Sequence, residues 1–299
     1  MKIAILMSTY NGEKYLSKQL ESLANQTVKD CITLYIRDDG SIDKTIDIIK
    51  FWGEKIKICL YRNSNLGPAR SFWELLTNKD ITADYYAFCD QDDIWDSNKL
   101  EVAITQLEQE HAQLFLSNCR LIDSSDEVIE DRYRINFPDM SLNRQFISGF
   151  AQGCCMVFTN SLREYFLKNK IECIPMHDTV VIIHAIKFGK IIWESKPMFS
   201  YRIHSNNVVA KSNKNILKNL KNTYLNWKNS SEHSMSKVAN EVLLYCNNLN
   251  DEEIEYLNLV KNYKRNFKSQ CKLIHESNFE NVPSSHVRSF VIRVLLKLL

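Results

Sequence analysis

The 299-residue sequence lacks any hydrophobic run long enough to span a bilayer. None of its nine cysteines forms a CxxC pair, so their spacing argues against a structural zinc site and a disulfide framework. It has no internal repeat and no long low-complexity tract. Because 44% of the residues are hydrophobic and 25% are charged, the composition excludes a disordered or fibrous protein. It indicates a globular protein with reduced, partly buried thiols.

The N-terminal segment is not expected to be a secretory signal. The apolar run in MKIAILMSTYNGEKY is short, ends in polar residues and carries no small-residue cleavage signal. We therefore expect a buried first strand there, and a cytosolic protein.

The charge is nearly balanced overall but unevenly distributed. The formal net charge is +2, yet residues 205–299 hold 14 Lys and Arg against 8 Asp and Glu, whereas residues 1–204 hold 24 against 28. With no recognition motif in addition, a near-neutral charge argues against nucleic-acid binding. The asymmetry predicts different partners for the two parts of the chain.

The first half of the sequence alternates strand and helix patterns. The predicted strands are KIAILMS, ITLYIRDDG, IKICLYR, YYAFCD and QLFLSNCRLID. This alternation predicts an α/β fold with a mainly parallel sheet and right-handed crossovers. Polar clusters follow the first, second and fourth strands, at the sheet edge where such folds bind ligands.

The pattern becomes less regular after the fifth predicted strand. Residues 120–150 read as a loop-rich excursion over the site, and GCCMVFT as a strand that returns to the sheet. The segment KIIWESKPMFSYRIH is expected to form a bent pair of strands. From Ser205 onward we expect helices separated by Asn- and Ser-rich breaks.

The motif DQDDIW carries the strongest chemical signal. It places Asp90, Asp92 and Asp93 at the mouth of a buried strand, where close carboxylates repel one another unless a cation neutralises them. Oxygen ligands suit Mg²⁺ or Mn²⁺, which would stabilise a departing diphosphate. The alternative is a solvated acidic turn. The adjacent Trp95 would pack the loop or stack on a sugar.

A second motif, RDDGS, turns sharply from a strand into a helix through Gly40. Asp39 at this corner can accept hydrogen bonds from a base or a ribose. A simple turn with a helix cap remains the alternative.

Two further residues are candidates by position. Asp178 stands at the start of an apolar helix, where it would act either as a helix cap or as a general base. His204 follows a strand, and it is either an ordinary surface or core histidine or a ligand.

Together the segments STYNGEKYL, RDDGSIDKT, NLGPARSF, DQDDIW, GCCMVF, HD and YRIH resemble family 2 glycosyltransferases of the GT-A fold. In order and spacing they are similar to the bacterial rhamnosyltransferase branch that builds cell-wall and capsular polysaccharides. The resemblance covers about residues 1–208. It implies a GT-A catalytic domain there, with a nucleotide-sugar half over 1–95 and an acceptor half over 96–208. A helical, basic region would follow over 209–299.

The resemblance also implies roles for individual residues. The residues assigned to the nucleotide-sugar site are Thr9, Tyr10, Asn11, Asp39, Arg70, Asp90 and Gln91; those assigned to the metal are Asp92 and His204; those assigned to the acceptor are Gly153, His177 and Trp95; and the catalytic base is Asp178. Many family members have an acidic residue at the position of His177 and an aromatic pair after the Asp. Here Thr179 and Val180 follow, so a different acceptor pocket is expected.

The implied reaction is a metal-dependent, inverting sugar transfer from dTDP-rhamnose or, alternatively, a UDP-hexose. The implied acceptor is a lipid-linked saccharide at the inner face of the plasma membrane. Two other classes remain open. A nucleotidyltransferase would carry a Gly-rich basic N-terminal loop, which STYNGEKY does not match. A non-catalytic nucleotide- or sugar-binding subunit would not need Asp92 and Asp178.

The C-terminal segment SSHVRSFVIRVLLKLL has an apolar stripe at helical spacing, and a basic-aromatic stretch precedes it. The stripe comprises Val287, Phe290, Val291, Val294, Leu295 and Leu298; the stretch comprises Lys211, Lys214, Lys218, Lys221, Tyr224, Trp227 and Lys228. Both would be attracted to an anionic membrane surface. Equally, the stripes would pack on the catalytic domain or in a homodimer.

Overall fold

The computed structural model describes residues 1–133, 138–149, 152–204, 235–280 and 282–299. In these ranges the sheet consists of β1 (Ile3–Thr9), β2 (Ile32–Asp38), β3 (Ile58–Arg62), β4 (Tyr85–Cys89), β5 (Ile94–Trp95), β6 (Leu114–Ile122), β7 (Val128–Glu130), β8 (Met156–Thr159) and β9 (Ile191–Arg202). The helices are α1 (Leu16–Ala24), α2 (Thr45–Gly53), α3 (Pro68–Thr77), α4 (Lys99–Gln109), α5 (Leu142–Ile147), α6 (Asn160–Lys168), α7 (His177–Phe188), α8 (Met235–Tyr245), α9 (Asp251–Asn262), α10 (Phe267–Glu276) and α11 (Ser284–Leu295).

All these strands join one mixed sheet in the order β3-β2-β1-β4-β8-β6-β9-β5, with β7 paired to β6. The half from β3 to β4 is parallel, as predicted, because a crossover helix joins each strand to the next. Beyond β4 the sheet is mixed, since β8 runs antiparallel to both β4 and β6. The α/β class is confirmed; the sheet is wholly parallel from β3 to β4 and, beyond that, only between β6 and β9.

The segment predicted to be a bent strand pair forms the single strand β9 instead. It runs parallel to β6, and its register shifts opposite Ser117 and Asn118. These irregularities bend the strand without a turn, which explains why the sequence pattern resembles two strands. The C-terminal end of β9 pairs antiparallel with β5. Strand β5 directly follows the acidic loop, Asp90 to Asp93.

Two hydrophobic cores hold the described residues together. The larger one surrounds the sheet and includes strand β1, which is buried except at Ser8. The second lies where α5 and α7 pack against the C-terminal helices, and it contains Phe146, Ile183, Leu257 and Phe290. The apolar surface buried between α5 and α7 on one side and the C-terminal helices on the other holds these helices against the rest of the chain.

Part of the C-terminal apolar stripe is therefore buried inside the protein. Phe290 and Val294 are fully buried in the second core. Of the alternatives left open by the sequence, packing on the preceding domain is the one observed for these two residues. The basic-aromatic stretch from Lys211 to Lys228 and the predicted boundary near 208 lie outside the described residues. Within the described ranges, no helix combines the length and the hydropathy that a membrane span requires.

Candidate active site

A cavity of about 800 Å³ opens at the carboxyl ends of β1, β2 and β4. Parallel strands end at one edge of a sheet, and the loops that follow them therefore converge. The lining includes ten of the predicted site residues: Tyr10, Asn11, Asp39, Asp90, Gln91, Asp92, Gly153, His177, Asp178 and His204. The acidic residues from three separate segments thus share one cleft.

At the β2 end of the cavity, Asp39 is buried and accepts several hydrogen bonds. Its carboxylate oxygens accept from the Leu66 N–H at 3.0 Å, the Gly67 N–H at 2.8 Å and the Ser71 hydroxyl at 2.8 Å, and Arg37 pairs with it. Burial opposes ionisation, but these donors outweigh it and hold the pKa of Asp39 below its usual value. The carboxylate thus orders the Leu66–Gly67 turn at the mouth of the cavity, and its contact with a base stays a prediction.

Gln91 links the acidic loop to the loop after β1. Its Oε1 accepts from the Tyr10 N–H at 3.0 Å, and its Nε2 donates to the Tyr10 carbonyl at 3.1 Å. A Cβ on Gly12 would lie 2.3 Å from the same Oε1. The amide is therefore already used by the protein, and Gln91 positions the loop that was expected to bind the nucleotide.

The acidic loop places Asp90 and Asp92 on the cavity and Asp93 behind them. Burial, together with repulsion from Asp92 and Asp178, raises the pKa of Asp90 to about 7. Asp92 Oδ2 lies 2.7 Å from His204 Nε2. Asp93 is fully buried, and among the described residues its Oδ2 has no hydrogen-bond partner.

These residues offer the chemistry of a divalent-cation site. Carboxylate oxygens are the ligands that Mg²⁺ and Mn²⁺ prefer, and crowded, buried carboxylates are stabilised by such a cation. Asp92 and His204 face the cavity as a pair. Behind them, ligand atoms of Asp90, Asp93 and Cys154 lie within 4.8 Å of one another. The carboxylates and His204 fit such a metal, and Asp93 adds a carboxylate to the residues assigned from the sequence. Burial raises the pKa of the Cys154 thiol, so Cys154 stays protonated and is not a ligand that Mg²⁺ or Mn²⁺ prefers.

Asp178 lies in the first turn of α7, where Met176 and not Asp178 occupies the cap position. Its Oδ1 accepts from the Thr179 N–H at 2.6 Å, and its Oδ2 accepts from the Gly153 N–H at 3.2 Å. Burial raises the pKa of Asp178 to about 6, although these hydrogen bonds oppose the shift. A carboxylate with a pKa near neutrality, on the wall of a cavity, is suited to accept a proton.

The neighbouring His177 is a neutral, buried ring. It stacks on Phe72 with centroids 4.2 Å apart and meets the edge of Phe88 at 4.8 Å. Burial lowers the pKa of His177 to about 3. Among the described residues neither ring nitrogen has a hydrogen-bond partner, and both nitrogens are shielded from solvent.

The model of the family "Glycosyl transferase family 2" matches residues 4–166, more than half of the chain. The chain belongs to glycosyltransferase family 2. It is a glycosyltransferase, as the motifs from STYNGEKYL to YRIH indicate.

Individual relatives agree with the family. The dTDP-rhamnosyl transferase RfbG of Shigella flexneri is 29% identical over 221 residues, which are 68% of this chain and 73% of RfbG. The solved structure of residues 1–349 of TarS from S. aureus, in complex with UDP-GlcNAc, superposes with a TM-score of 0.63 at 17% identity, covering 100% of this chain and 90% of that one. The mannosyltransferase PcManGT of Pyrobaculum calidifontis, in complex with GDP-Man and Mn²⁺, superposes with a TM-score of 0.57 at 13% identity, covering 99% and 86%. The two structures confirm the predicted GT-A fold.

Three predicted site residues of the glycosyltransferase do not line the cavity. Thr9 is fully buried, and its hydroxyl donates to Asp38 Oδ1 at 3.0 Å. Trp95 is only 3% exposed and packs in the core under the Lys99 ammonium, 3.6 Å from the ring centre. The structure therefore gives Thr9 and Trp95 supporting positions behind the site. Arg70 is exposed on the first turn of α3, outside the lining.

Arg202 was not assigned a role, although it belongs to the YRIH motif. It is fully buried, and its Nε donates to the Asp92 carbonyl at 2.8 Å while its Nη1 donates to the Asp123 carbonyl at 2.9 Å. Its backbone N–H donates to Asp93 Oδ1 at 3.1 Å. Arg202 thus joins the acidic loop to the loop that follows β6. Its place in the motif was the only signal for it in the sequence.

Proposed function

We propose that the enzyme is a metal-dependent, inverting glycosyltransferase that moves a sugar from a nucleotide-sugar to a hydroxyl of a saccharide acceptor. One observation carries the proposal: Asp178 lines the same cavity as the Asp90–Asp92 loop, and the charge of Asp178 contributes to the raised pKa of Asp90. The base and the diphosphate-binding loop would therefore act on a donor bound in one cleft.

In this proposal Asp178 accepts the proton of the acceptor hydroxyl. The hydroxyl oxygen then bonds to the anomeric carbon while the bond from that carbon to the diphosphate oxygen breaks. Attack from the face opposite the leaving group inverts the configuration. Hydrogen bonds from Thr179 and Gly153 keep the carboxylate oriented. Mn²⁺ or Mg²⁺ held by Asp92 and His204, with Asp90 beside them, would stabilise the negative charge on the diphosphate.

The proposed donor is dTDP-β-L-rhamnose, which would give an α-linked rhamnose. The support is the likeness to RfbG, which is described as a dTDP-rhamnosyl transferase. A UDP-hexose is the alternative donor. The proposed acceptor is a lipid-linked saccharide of capsule or cell-wall synthesis at the cytoplasmic face of the membrane. Residues 205–299 hold 14 basic and 8 acidic residues, and this positive charge supports a position near anionic lipid.

Nucleoside diphosphate release tests the proposal. The enzyme is incubated with dTDP-rhamnose or UDP-hexoses, with Mn²⁺, Mg²⁺ or a chelator. We expect nucleoside diphosphate to be released from one of the donors, and only when Mn²⁺ or Mg²⁺ is present. Asp178→Asn should bind that donor normally but transfer the sugar about 10²- to 10⁴-fold more slowly, the range for losing a general base. Failure to release nucleoside diphosphate from any donor would favour a binding subunit, and pyrophosphate release from a nucleoside triphosphate would favour a nucleotidyltransferase.

A further inference from the structure

The C-terminal helix α11 has an exposed apolar side, opposite the two stripe residues, Phe290 and Val294, that are buried in the second core. Ile292, Leu295 and Leu296 are 45%, 44% and 49% exposed. Their spacings of three and four residues place them on one side of the helix. Phe290 and Val294, by contrast, are fully buried. One side of α11 therefore holds the helix on the protein while another presents large apolar side chains to solvent.

The neighbouring helix α10 carries another exposed apolar side chain, close to where it meets α11. Gln270 Nε2 donates to the Val294 carbonyl at 2.7 Å and the Leu295 carbonyl at 3.1 Å, so α10 lies against the C-terminal end of α11. Phe267, about one turn before Gln270, is 69% exposed. We call the set Phe267, Ile292, Leu295 and Leu296 the apolar face.

The charged residues that flank the apolar face along the chain are basic, and the acidic Glu255 of α9 pairs with Lys272 of α10 at 3.0 Å. Residues 261–299 hold eight Lys and Arg but only two Asp and Glu. Arg265 and Lys268 flank Phe267, Arg288 stands one turn before Ile292, and Lys297 follows Leu296; all four of these basic residues are exposed. The two acidic residues, Glu276 and Glu280, lie at the far end of α10 and beyond it.

We propose that the apolar face docks on an anionic lipid bilayer. Apolar side chains surrounded by Lys and Arg match the boundary between acyl chains and negative headgroups. A second copy of the chain fits less well, because joining two such faces would bring like charges together. The proposal rests on the proposed function in one respect: a lipid-linked acceptor gives the enzyme a reason to sit at that surface.

Vesicle co-sedimentation of the full chain tests the proposal. We expect binding to vesicles of phosphatidylcholine with phosphatidylglycerol, weaker binding at high salt, and little binding to phosphatidylcholine alone. Phe267→Ser and Leu296→Ser should each weaken binding roughly tenfold, the scale for one buried apolar side chain. Lys268→Gln and Arg288→Gln should each weaken it about fivefold.

Phe51→Ser is the matched control, since Phe51 is 55% exposed on α2 and also has a lysine, Lys55, beside its ring. It should bind vesicles like the wild type. Equal binding to both kinds of vesicle, or wild-type binding by Phe267→Ser and Leu296→Ser, would overturn the proposal. So would a dimer in light scattering that these two variants abolish, because it would assign the face to a second copy.

Donor hydrolysis without vesicles separates this proposal from the proposed function. The apolar-face variants should retain wild-type nucleoside diphosphate release, because none of these residues lines the cavity. A chain that binds anionic vesicles but hydrolyses no donor would contradict the proposed function and leave the docking surface standing. A chain that hydrolyses a donor but does not bind anionic vesicles would contradict the docking surface and leave the proposed function standing.

Discussion

The ring of His177 fills the space that a side chain on Gly153 would need. A Cβ built on Gly153 would lie 2.5 Å from His177 Nε2, closer than real Cβ contacts come. The ring has little freedom to retreat, because it is stacked on Phe72. The same glycine donates its N–H to Asp178 Oδ2. Position 153 therefore sets the placement of both residues at the start of α7.

Gly153→Ala should lower kcat roughly 100-fold, the scale for a displacement of about 1 Å at a reacting group. Donor binding, measured as a donor-induced rise in Tm, should change less than kcat, since the atoms that the new Cβ meets belong to His177 and not to the acidic loop. Gly149→Ala is the control, because a Cβ there meets no atom within 4 Å. Wild-type kcat in Gly153→Ala would show that the His177 ring and Asp178 tolerate the shift.

The pH dependence of kcat/KM should report Asp178. A base must be ionised to accept a proton, and burial raises the pKa of Asp178 to about 6. The pKa of Asp90 is raised to about 7, so the assay uses saturating Mn²⁺, whose charge keeps Asp90 ionised. The rate constant should therefore fall tenfold per pH unit below about pH 6 and level off above it. The pKa of His177, lowered to about 3, keeps that ring neutral throughout this range. Residual activity of Asp178→Asn should lack the acid limb, and a limb that survives the substitution would place the base elsewhere.

His204→Ala should weaken the metal dependence of the enzyme. His204 Nε2 is 2.7 Å from Asp92 Oδ2, so it either ligates the metal with Asp92 or orients that carboxylate. In either case we expect the Mn²⁺ concentration for half-maximal activity to rise about 10- to 100-fold. His275→Ala, on the exposed surface of α10, serves as the control. An unchanged Mn²⁺ titration in His204→Ala would remove this residue from the metal site.

The sequence could predict the cavity because parallel strands end together. Polar residues after β1, β2 and β4 had to meet at one edge once those patterns were recognised as strands. Asp178 and His204 lie far along the chain from that edge, and only the motif resemblance connected them to it. Both line the cavity, which is the convergence that the proposed chemistry needs.

The features that the sequence could not predict depend on which groups contact one another in the fold, and residue types alone do not show that. A pattern shows that Asp39 follows a strand, but not that the Leu66 N–H and the Ser71 hydroxyl occupy its oxygens. The contacts of Arg202 require β9 to lie beside both β5 and β6, a pairing that periodicity does not encode. In the same way, periodicity finds an apolar stripe on α11 without telling which side of the helix the protein covers.

The link between Gln91 and Tyr10 leads to a double-mutant prediction. A Cβ on Gly12 would displace the Gln91 amide from the Tyr10 backbone, so Gly12→Ala and Gln91→Ala should lose the same pair of hydrogen bonds. Each variant should raise the Kd for the nucleoside diphosphate about fivefold, the scale for about 1 kcal/mol of hydrogen bonding.

The double variant should be little worse than either single one, because the second change has nothing left to remove. Isothermal titration calorimetry with the nucleoside diphosphate and Mn²⁺ measures all three constants. Gly53→Ala, where a Cβ meets no atom within 4 Å, should bind like the wild type. Additive losses in the double variant would mean that Gln91 contacts the nucleotide directly, as the family resemblance implied, and that its bond to Tyr10 is incidental.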